Sequence, residues 1–346
     1  LSCTLLTTLL TSASATKDIT GNNNNAFAIN GETVTIRSGA TVNSGKPQVN
    51  GYNASGSSIA VGQNGKESSI TIEEGGKLNG RIYTRAAKIK DIIINGSIGA
   101  GPSNASIINF RGTTIEKIEV GQTGVLEGGI INSWFKNGGT ASGNSKINNI
   151  DIKGEVKGGI KNQSGTMQTI TITGSVSGDI INNKTMQSIS VSNGTVNGNI
   201  VNSGSNANTG AINITGTSNV GGSIINQNGA TFNNQITLEQ GSKLGGITNA
   251  ANSTMSGTLT LNGEVGTITN AGKFDSTLTL SNKVGEINNA EGGTISNDIT
   301  IQANGSVGAI NNSGTMQAIT NNATTGTLTL TNSGGTIDKV TNGTGA

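Results

Sequence analysis

The chain has 346 residues, a net charge of +2, 32% hydrophobic residues and 2% aromatic residues. It contains no histidine and one cysteine, Cys3, which excludes Ser-His-Asp and Cys-His catalysis, zinc sites built with histidine, and an internal disulfide. The small net charge argues against a dedicated nucleic-acid-binding protein. The sequence has no run of 18 apolar residues, so we predict no transmembrane helix. We therefore predict no cofactor, no metal site and no nucleic-acid partner.

The first fifteen residues differ in composition from the rest of the chain. Leu5–Leu10 is a short apolar run, and Ala13–Ala15 fits the small-x-small pattern of a signal-peptide cleavage site. We interpret residues 1–15 as a signal-peptide remnant that is cut before Thr16. Because the Met and the basic region that begin a signal peptide are missing, we expect that the given sequence starts after them. The alternatives are an ordered, slightly apolar N-terminus and a lipid anchor at Cys3.

A repeat with intervals of 19 to 24 residues follows in chain order. Each repeat has a short alternating strand of β-branched residues, one inward Val or Leu, an Ile-x-Asn triplet, and a closing Met, Phe or Ile. Because repeats of this period stack, the Asn residues of successive triplets are expected to form a hydrogen-bonded ladder from coil to coil. The ladder comprises Asn162, Asn182, Asn202, Asn226, Asn249, Asn270, Asn289 and Asn312.

Three inward sides joined by Gly or Asn corners predict an all-β fold, a right-handed parallel β-helix (β-solenoid) of about a dozen coils. At about 4.8 Å per coil, a dozen coils would form a rod roughly 60 Å long. We assign residues 16–60 to an N-terminal cap and first coil, and residues 61–346 to the β-helix. A leucine-rich repeat is the rival, since Met167 to Ile172 matches its opening, but Gly174 and Ser175 stand where its Asn belongs.

One interval, from Ile118 to Ile150, is about ten residues longer than the repeat allows. The excess contains Trp134, Phe135 and Lys136. Since aromatic side chains anchor interfaces, we predict an exposed contact patch there. The alternative is that Trp134 or Phe135 fills the core beside the loop.

Positive charge is concentrated between Lys77 and Lys161, where twelve basic and six acidic residues give a net charge of +6. This stretch includes Arg81 and Arg85, which we predict to bind acidic glycans or lipid headgroups. The alternative is an ordinary solvated surface with scattered basic residues.

Two further function classes fit the sequence less well. A polysaccharide-active enzyme needs clustered carboxylates, whereas Asp151, Glu239 and Asp298 fall in different coils. An ice-binding protein would present a regular Thr array, which Ser190 and Asn213 interrupt. We therefore predict that the chain is not an enzyme.

The signal-like Leu9–Ala15 and the coils Gln168–Met186, Gln187–Gly210 and Thr258–Ser276 make the chain resemble the passenger domains of type V autotransporters. Among these it is most similar to adhesin-like passengers of the Helicobacter and Campylobacter type. The resemblance implies a secreted virulence protein on the bacterial cell surface, attached to the outer membrane. It would act in adhesion or as a structural stalk, with a host or bacterial surface protein or glycan as its partner.

The resemblance also implies an outer-membrane barrel in the same natural chain, and no barrel is present in this sequence. We therefore expect the natural chain to continue beyond Ala346. The alternative is an extracellular filament subunit that self-associates through its coil ends, because exposed strand edges can pair with another copy.

Overall fold

The computed structural model describes residues 15–22, 24–62, 65–132 and 145–343. It is an all-β parallel β-solenoid of about 12 turns, which confirms the predicted fold class. Within the described residues, helix is limited to the short 3₁₀ turn Pro102–Asn104. The strands of successive coils pair in parallel and form three sheets along the rod.

Sheet 1 takes one strand from each coil, partial coils included, and has 15 strands. Its longer strands alternate buried and partly exposed residues, as the sequence pattern predicts. The strands are Thr16–Ile19, Thr33–Ile36, Glu67–Ile72, Lys88–Ile94, Thr114–Val120, Lys146–Ile152, Thr166–Ile172, Thr185–Ser192, Asn208–Thr215, Ile236–Leu238, Leu259–Leu261, Leu278–Leu280, Ile299–Ile301, Ile319–Asn321 and Val340–Asn342.

Sheet 2 has 21 strands and contains both the inward Val position and the Ile-x-Asn triplets. Its strands are Phe27–Ile29, Thr41–Val42, Ser57–Val61, Lys77–Leu78, Arg81–Arg85, Ser97–Ile98, Ala105–Phe110, Val125–Leu126, Gly129–Asn132, Glu155–Val156, Ile160–Asn162, Ser175–Val176, Ile180–Asn182, Thr195–Val196, Ile200–Ser203, Asn219–Gln227, Lys243–Asn249, Glu264–Asn270, Lys283–Asn289, Ser306–Asn312 and Thr329–Asn332.

Sheet 3 is confined to the later coils and carries the closing Phe, Met or Ile of each repeat. Its six strands are Thr231–Phe232, Thr254–Met255, Lys273–Phe274, Thr294–Ile295, Thr315–Met316 and Thr336–Ile337. One antiparallel hairpin, Gln48–Val49 with Tyr52–Asn53, lies outside these three sheets.

The interior is a single column of apolar side chains that runs from Ile19 to Ile319. Equivalent positions stack directly, as where Ile170 pairs with Ile150 on one side and with Ile189 on the other. All three are fully buried. Burying an aliphatic side chain of this size contributes about 1.5–3 kcal/mol. A core one coil thick can therefore be stable although few residues are apolar.

All eight predicted ladder asparagines are buried, and each is the last or next-to-last residue of its strand in sheet 2. In one step, Asn162 Nδ2 donates to Asn182 Oδ1 at 2.9 Å and also to the carbonyls of Thr185 at 2.8 Å and Gly165 at 2.9 Å. Both donor hydrogens of the amide are used, so the side chain is buried without an unsatisfied donor. The ladder extends further than predicted, from Thr84 and Asn109 through Asn132 to Asn332.

The ladder changes at one step, between Asn182 and Asn202. These residues pair in sheet 2, but Asn182 Nδ2 donates to Thr209 Oγ1 at 2.9 Å, and Thr209 Oγ1 donates to Asn202 Oδ1 at 2.9 Å. Thr209 occupies the closing position that Met186 occupies one coil earlier. A hydroxyl both accepts and donates, so it relays the hydrogen bond across this step.

Candidate functional site

The outer face of sheet 2 near the N-terminus is covered by the hairpin Gln48–Val49 and Tyr52–Asn53. Its turn residues, Asn50 and Gly51, have φ angles of 47° and 69°. Two successive residues with positive φ are what a two-residue turn of type I′ requires, and Asn-Gly is its preferred sequence. The hairpin is therefore encoded locally, although its packing partner lies on later coils.

The hairpin and sheet 2 enclose a second apolar cluster, separate from the solenoid core. It includes Val49 from the hairpin and Ala60, Tyr83 and Ile108 from the sheet. Tyr83 alternates along its strand with the inward Ile82, so it points to the outer face. It is nevertheless completely buried. Part of the outer surface of the rod is thus a packed site rather than a solvated one.

Three aromatic rings and two arginines meet at this cluster. Tyr52 stacks on Tyr83 with 5.4 Å between ring centroids, and Phe110 contacts Tyr83 at 6.0 Å. The Arg85 guanidinium lies 5.0 Å from the Tyr52 ring, and that of Arg111 lies 5.8 Å from the Phe110 ring. We call these five residues the aromatic–arginine platform.

Backbone contacts hold the rim of the platform in place. Arg85 pairs with Phe110 on the neighbouring strand of sheet 2. The Asn50 side chain donates to the Arg85 carbonyl at 3.2 Å, which ties the hairpin turn to the same corner. Arg85, Tyr52 and Phe110 are half-buried, and Arg111 is exposed. The fixed strands therefore present both guanidinium groups at one corner of the rod.

Arg111 adopts an unusual backbone conformation for its residue type. Its φ is 48°, and Gly112 follows with a φ of 73°. The equivalent corner of a later coil has Asn228 and Gly229, with φ angles of 59° and 76°. Asn tolerates the left-handed region, whereas other residues with a Cβ are about 1–2 kcal/mol less stable there. The chain therefore retains a basic residue at a position where Asn would be more stable.

Arg81, which the sequence predicts to bind an acidic glycan or lipid headgroup, is not at the surface. It is 2% exposed, and its guanidinium donates to the Pro102 carbonyl at 2.7 Å and the Ser55 carbonyl at 3.1 Å. Burial lowers the pKa of this guanidinium. Arg81 thus fastens the end of the hairpin segment to the 3₁₀ turn. Of the two predicted arginines, Arg85 is the one at the surface.

Tyr83 lies at the centre of the platform. Burial is the main cause that raises the pKa of its hydroxyl, and the nearby charges of Arg85 and Arg81 oppose the shift. The buried hydroxyl donates no hydrogen bond to any residue that the structure describes. Tyr83 therefore serves the platform mainly as an apolar ring between Tyr52 and Phe110.

Trp134, Phe135 and Lys136, the predicted contact patch, lie outside the described residues. Sequence reasoning overlooked Tyr52, Tyr83 and Phe110, and it counted Arg111 among the basic residues without singling it out. Two local signals could have pointed to them. Asn50-Gly51 between Val49 and Tyr52 signals a hairpin, and Arg111-Gly112 occupies the position that Asn228-Gly229 occupies in a later coil.

No protein family, no curated protein and no solved structure matches this chain. In the described part of the chain, no helix is long and apolar enough to cross a membrane. The same residues include no group of three or more His, Cys, Asp or Glu side chains placed to hold a metal ion.

Proposed function

We propose that this chain is a secreted, surface-displayed stalk of the bacterial outer membrane that presents the aromatic–arginine platform for adhesion. The observation that carries the proposal is the contrast between an interior repeated coil after coil and a platform built on the outer face of a few coils. A repeated core suits a rigid spacer, and aromatic and arginine side chains are enriched at contact sites.

The autotransporter resemblance supplies the location and the class of partner. It supports a host or bacterial surface protein or glycan as the partner and an outer-membrane barrel in the natural chain. The proposal assigns the chain no enzymatic activity and no cofactor. A filament subunit that associates through coil ends is the competing function.

The test is adhesion of protein-coated beads to epithelial and bacterial cells, with electron microscopy of the same purified protein over a concentration series. Isolated rods about 60 Å long together with bead adhesion above that of albumin-coated beads would support the proposal. Beads that adhere no better than the albumin control would contradict adhesion. Long fibres with an axial repeat of rod length would favour the filament function instead.

A further inference from the structure

We propose that the aromatic–arginine platform binds an acidic polysaccharide, with Arg85 and Arg111 donating to its carboxylate or sulfate groups. The inference rests on the proposed adhesive function and names the ligand class for that site. It requires three things of the platform: free charge, donors in a fixed geometry, and an apolar surface beside them.

Within the part of the chain that the structure describes, no acidic side chain pairs with either arginine of the platform. By contrast, Arg37 contacts Asp18 at 2.8 Å and Glu73 at 2.6 Å. The arginines of the platform thus keep their charge available for a ligand, whereas Arg37 is already neutralised within the chain.

Stacking fixes the geometry of the donors. A guanidinium that lies over an aromatic ring keeps the N–H groups at its edge free. Those groups form a planar fork that matches a carboxylate or sulfate group, and the paired hydrogen bonds are stronger than those between neutral groups. Arg85 over Tyr52 and Arg111 over Phe110 therefore form two oriented anion-binding groups, one at the end of a strand and one in the turn after the neighbouring strand.

The half-buried rings of Tyr52 and Phe110 add apolar surface next to these donors. An acidic sugar carries C–H groups on its ring and an anionic group at its edge, so it matches both features. A site that combines a few oriented polar groups with aromatic surface is typical of ligand recognition. An anionic lipid headgroup would use the charge but would gain nothing from the exposed part of the two rings.

The corner at Arg111 bears on the choice of test variant. The chain accepts the left-handed conformation there with a basic residue, although Asn fills the equivalent corner at Asn228. Ala86, at the same corner one coil earlier, has a φ of 51°, so the left-handed conformation belongs to the corner and the basic side chain is what distinguishes Arg111. The corner supplies a useful variant, because Arg111→Asn removes the charge and should preserve or improve the fold.

The experiment measures binding of the purified protein to immobilised heparin, which is sulfated, to polygalacturonate, which is carboxylated, and to neutral dextran. We expect binding to at least one acidic polymer and none to dextran. Arg111→Asn and Arg85→Gln should each weaken that binding about tenfold, a loss within the range of a charge-assisted hydrogen bond. Lys184→Gln, which removes an exposed charge in a later coil, should change it less than about twofold.

Binding to heparin alone would assign sulfate, and binding to polygalacturonate alone would assign carboxylate. The thermal unfolding of Arg111→Asn, expected at or above the wild-type temperature, separates loss of ligand from loss of fold. Acidic polymers held no better than dextran would overturn the proposal, as would wild-type affinity in the Arg85→Gln/Arg111→Asn double variant. Equal binding to phosphatidylserine vesicles would overturn the sugar class. If cell adhesion persists in those cases, the adhesive function stands and only the assignment of the ligand class is wrong.

Discussion

The coils before Asn208 and those after Phe232 enclose the same core but bend at different places. In the coil at Thr166–Ile172, two residues separate the inward Met167 from Ile170, and both lie in one strand. Three residues separate Val176 from Ile180, and the chain turns between them.

In the later coil at Glu264–Asn270 the spacing is reversed. Two residues separate Val265 from Ile268 within one strand, and three separate Phe274 from Leu278, where the chain turns. In both regions the two-residue spacer has one residue without a partner in the strand pairing, as at Gln168 and at Gly266. The skipped residue shifts the alternation of the strand by one position, so the residue after the two-residue spacer, Ile170 or Ile268, points inward again.

The difference shows that the spacing between inward residues decides which corner a coil uses, while the Ile-x-Asn triplet is common to both kinds of coil. The junction falls at Asn208–Gln227, where Thr209 relays the ladder.

Outward Thr residues also differ between the regions. They pair in register at Thr237 and Thr260, and again through Thr279, Thr300 and Thr320, whereas Ser190 pairs with Asn213 in an earlier coil.

The largest expected effect tests the third side of the later coils, which depends on one inward side chain per coil. Phe274→Ala should destabilise the protein by about 3–5 kcal/mol, because it removes a fully buried ring and leaves a cavity. Chemical denaturation measures the change, with Thr279→Ala, exposed on the neighbouring strand, as the control. A cost below that of the control would mean that sheet 3 is not needed in these coils.

The next effect tests whether the Asn ladder is equally important in both regions. Asn162→Ala and Asn249→Ala should each cost about 1–3 kcal/mol, because each leaves a buried neighbouring group without its partner. Thr248→Ala, on the outer face of the same strand as Asn249, is the control. Strongly unequal costs at the two asparagines would show that the corner position changes the ladder after all.

A smaller effect tests the junction. Thr209→Val keeps the shape of the side chain but removes the hydroxyl that donates to Asn202 Oδ1. The valine also removes the acceptor of Asn182 Nδ2, which keeps the Asn208 carbonyl at 3.0 Å as a partner. The expected cost is therefore about 1 kcal/mol, the usual net contribution of one hydrogen bond. Thr209→Ser, which keeps the hydroxyl, should recover the part of the stability that comes from the relay. If the serine variant is no more stable than the valine variant, the relay contributes nothing.

The smallest effect concerns the ion pairs on the outer face of the early coils. Hydrogen bonds from Lys117 and Lys153 lower the pKa of Glu119 below its ordinary value of 4.5. A lowered folded pKa stabilises the protein above the unfolded pKa, and this contribution is lost as pH falls through the folded pKa. Glu119→Gln should therefore lower stability at pH 7 by up to about 1 kcal/mol, as expected for a surface pair.

The difference between wild type and Glu119→Gln should shrink as the solution is acidified below about pH 4. Denaturation at a series of pH values measures it, with Glu74→Gln as the control, since Glu74 is exposed. A difference that grows on acidification would contradict the assignment of these ion pairs.

The sequence alone determined the coil. In a solenoid each strand pairs with the strand one repeat away, so the inward Ile and Val positions, the Ile-x-Asn triplets and the Gly and Asn corners can all be read within one period. That is why the fold class and all eight ladder asparagines followed from the repeat, and why the corner shift is visible in the spacing once the strands are known.

Only the tertiary structure decided the outer platform. Tyr52, Tyr83 and Phe110 are separated by more than a full repeat in sequence and meet because coils stack and the hairpin folds back over sheet 2. The same packing buried Arg81 and left Arg85 at the surface, although the sequence presents them as equivalent basic residues on one strand. The outer-face residues of the platform follow no repeat. Their environment depends on which distant segment covers them, and no period in the sequence records that.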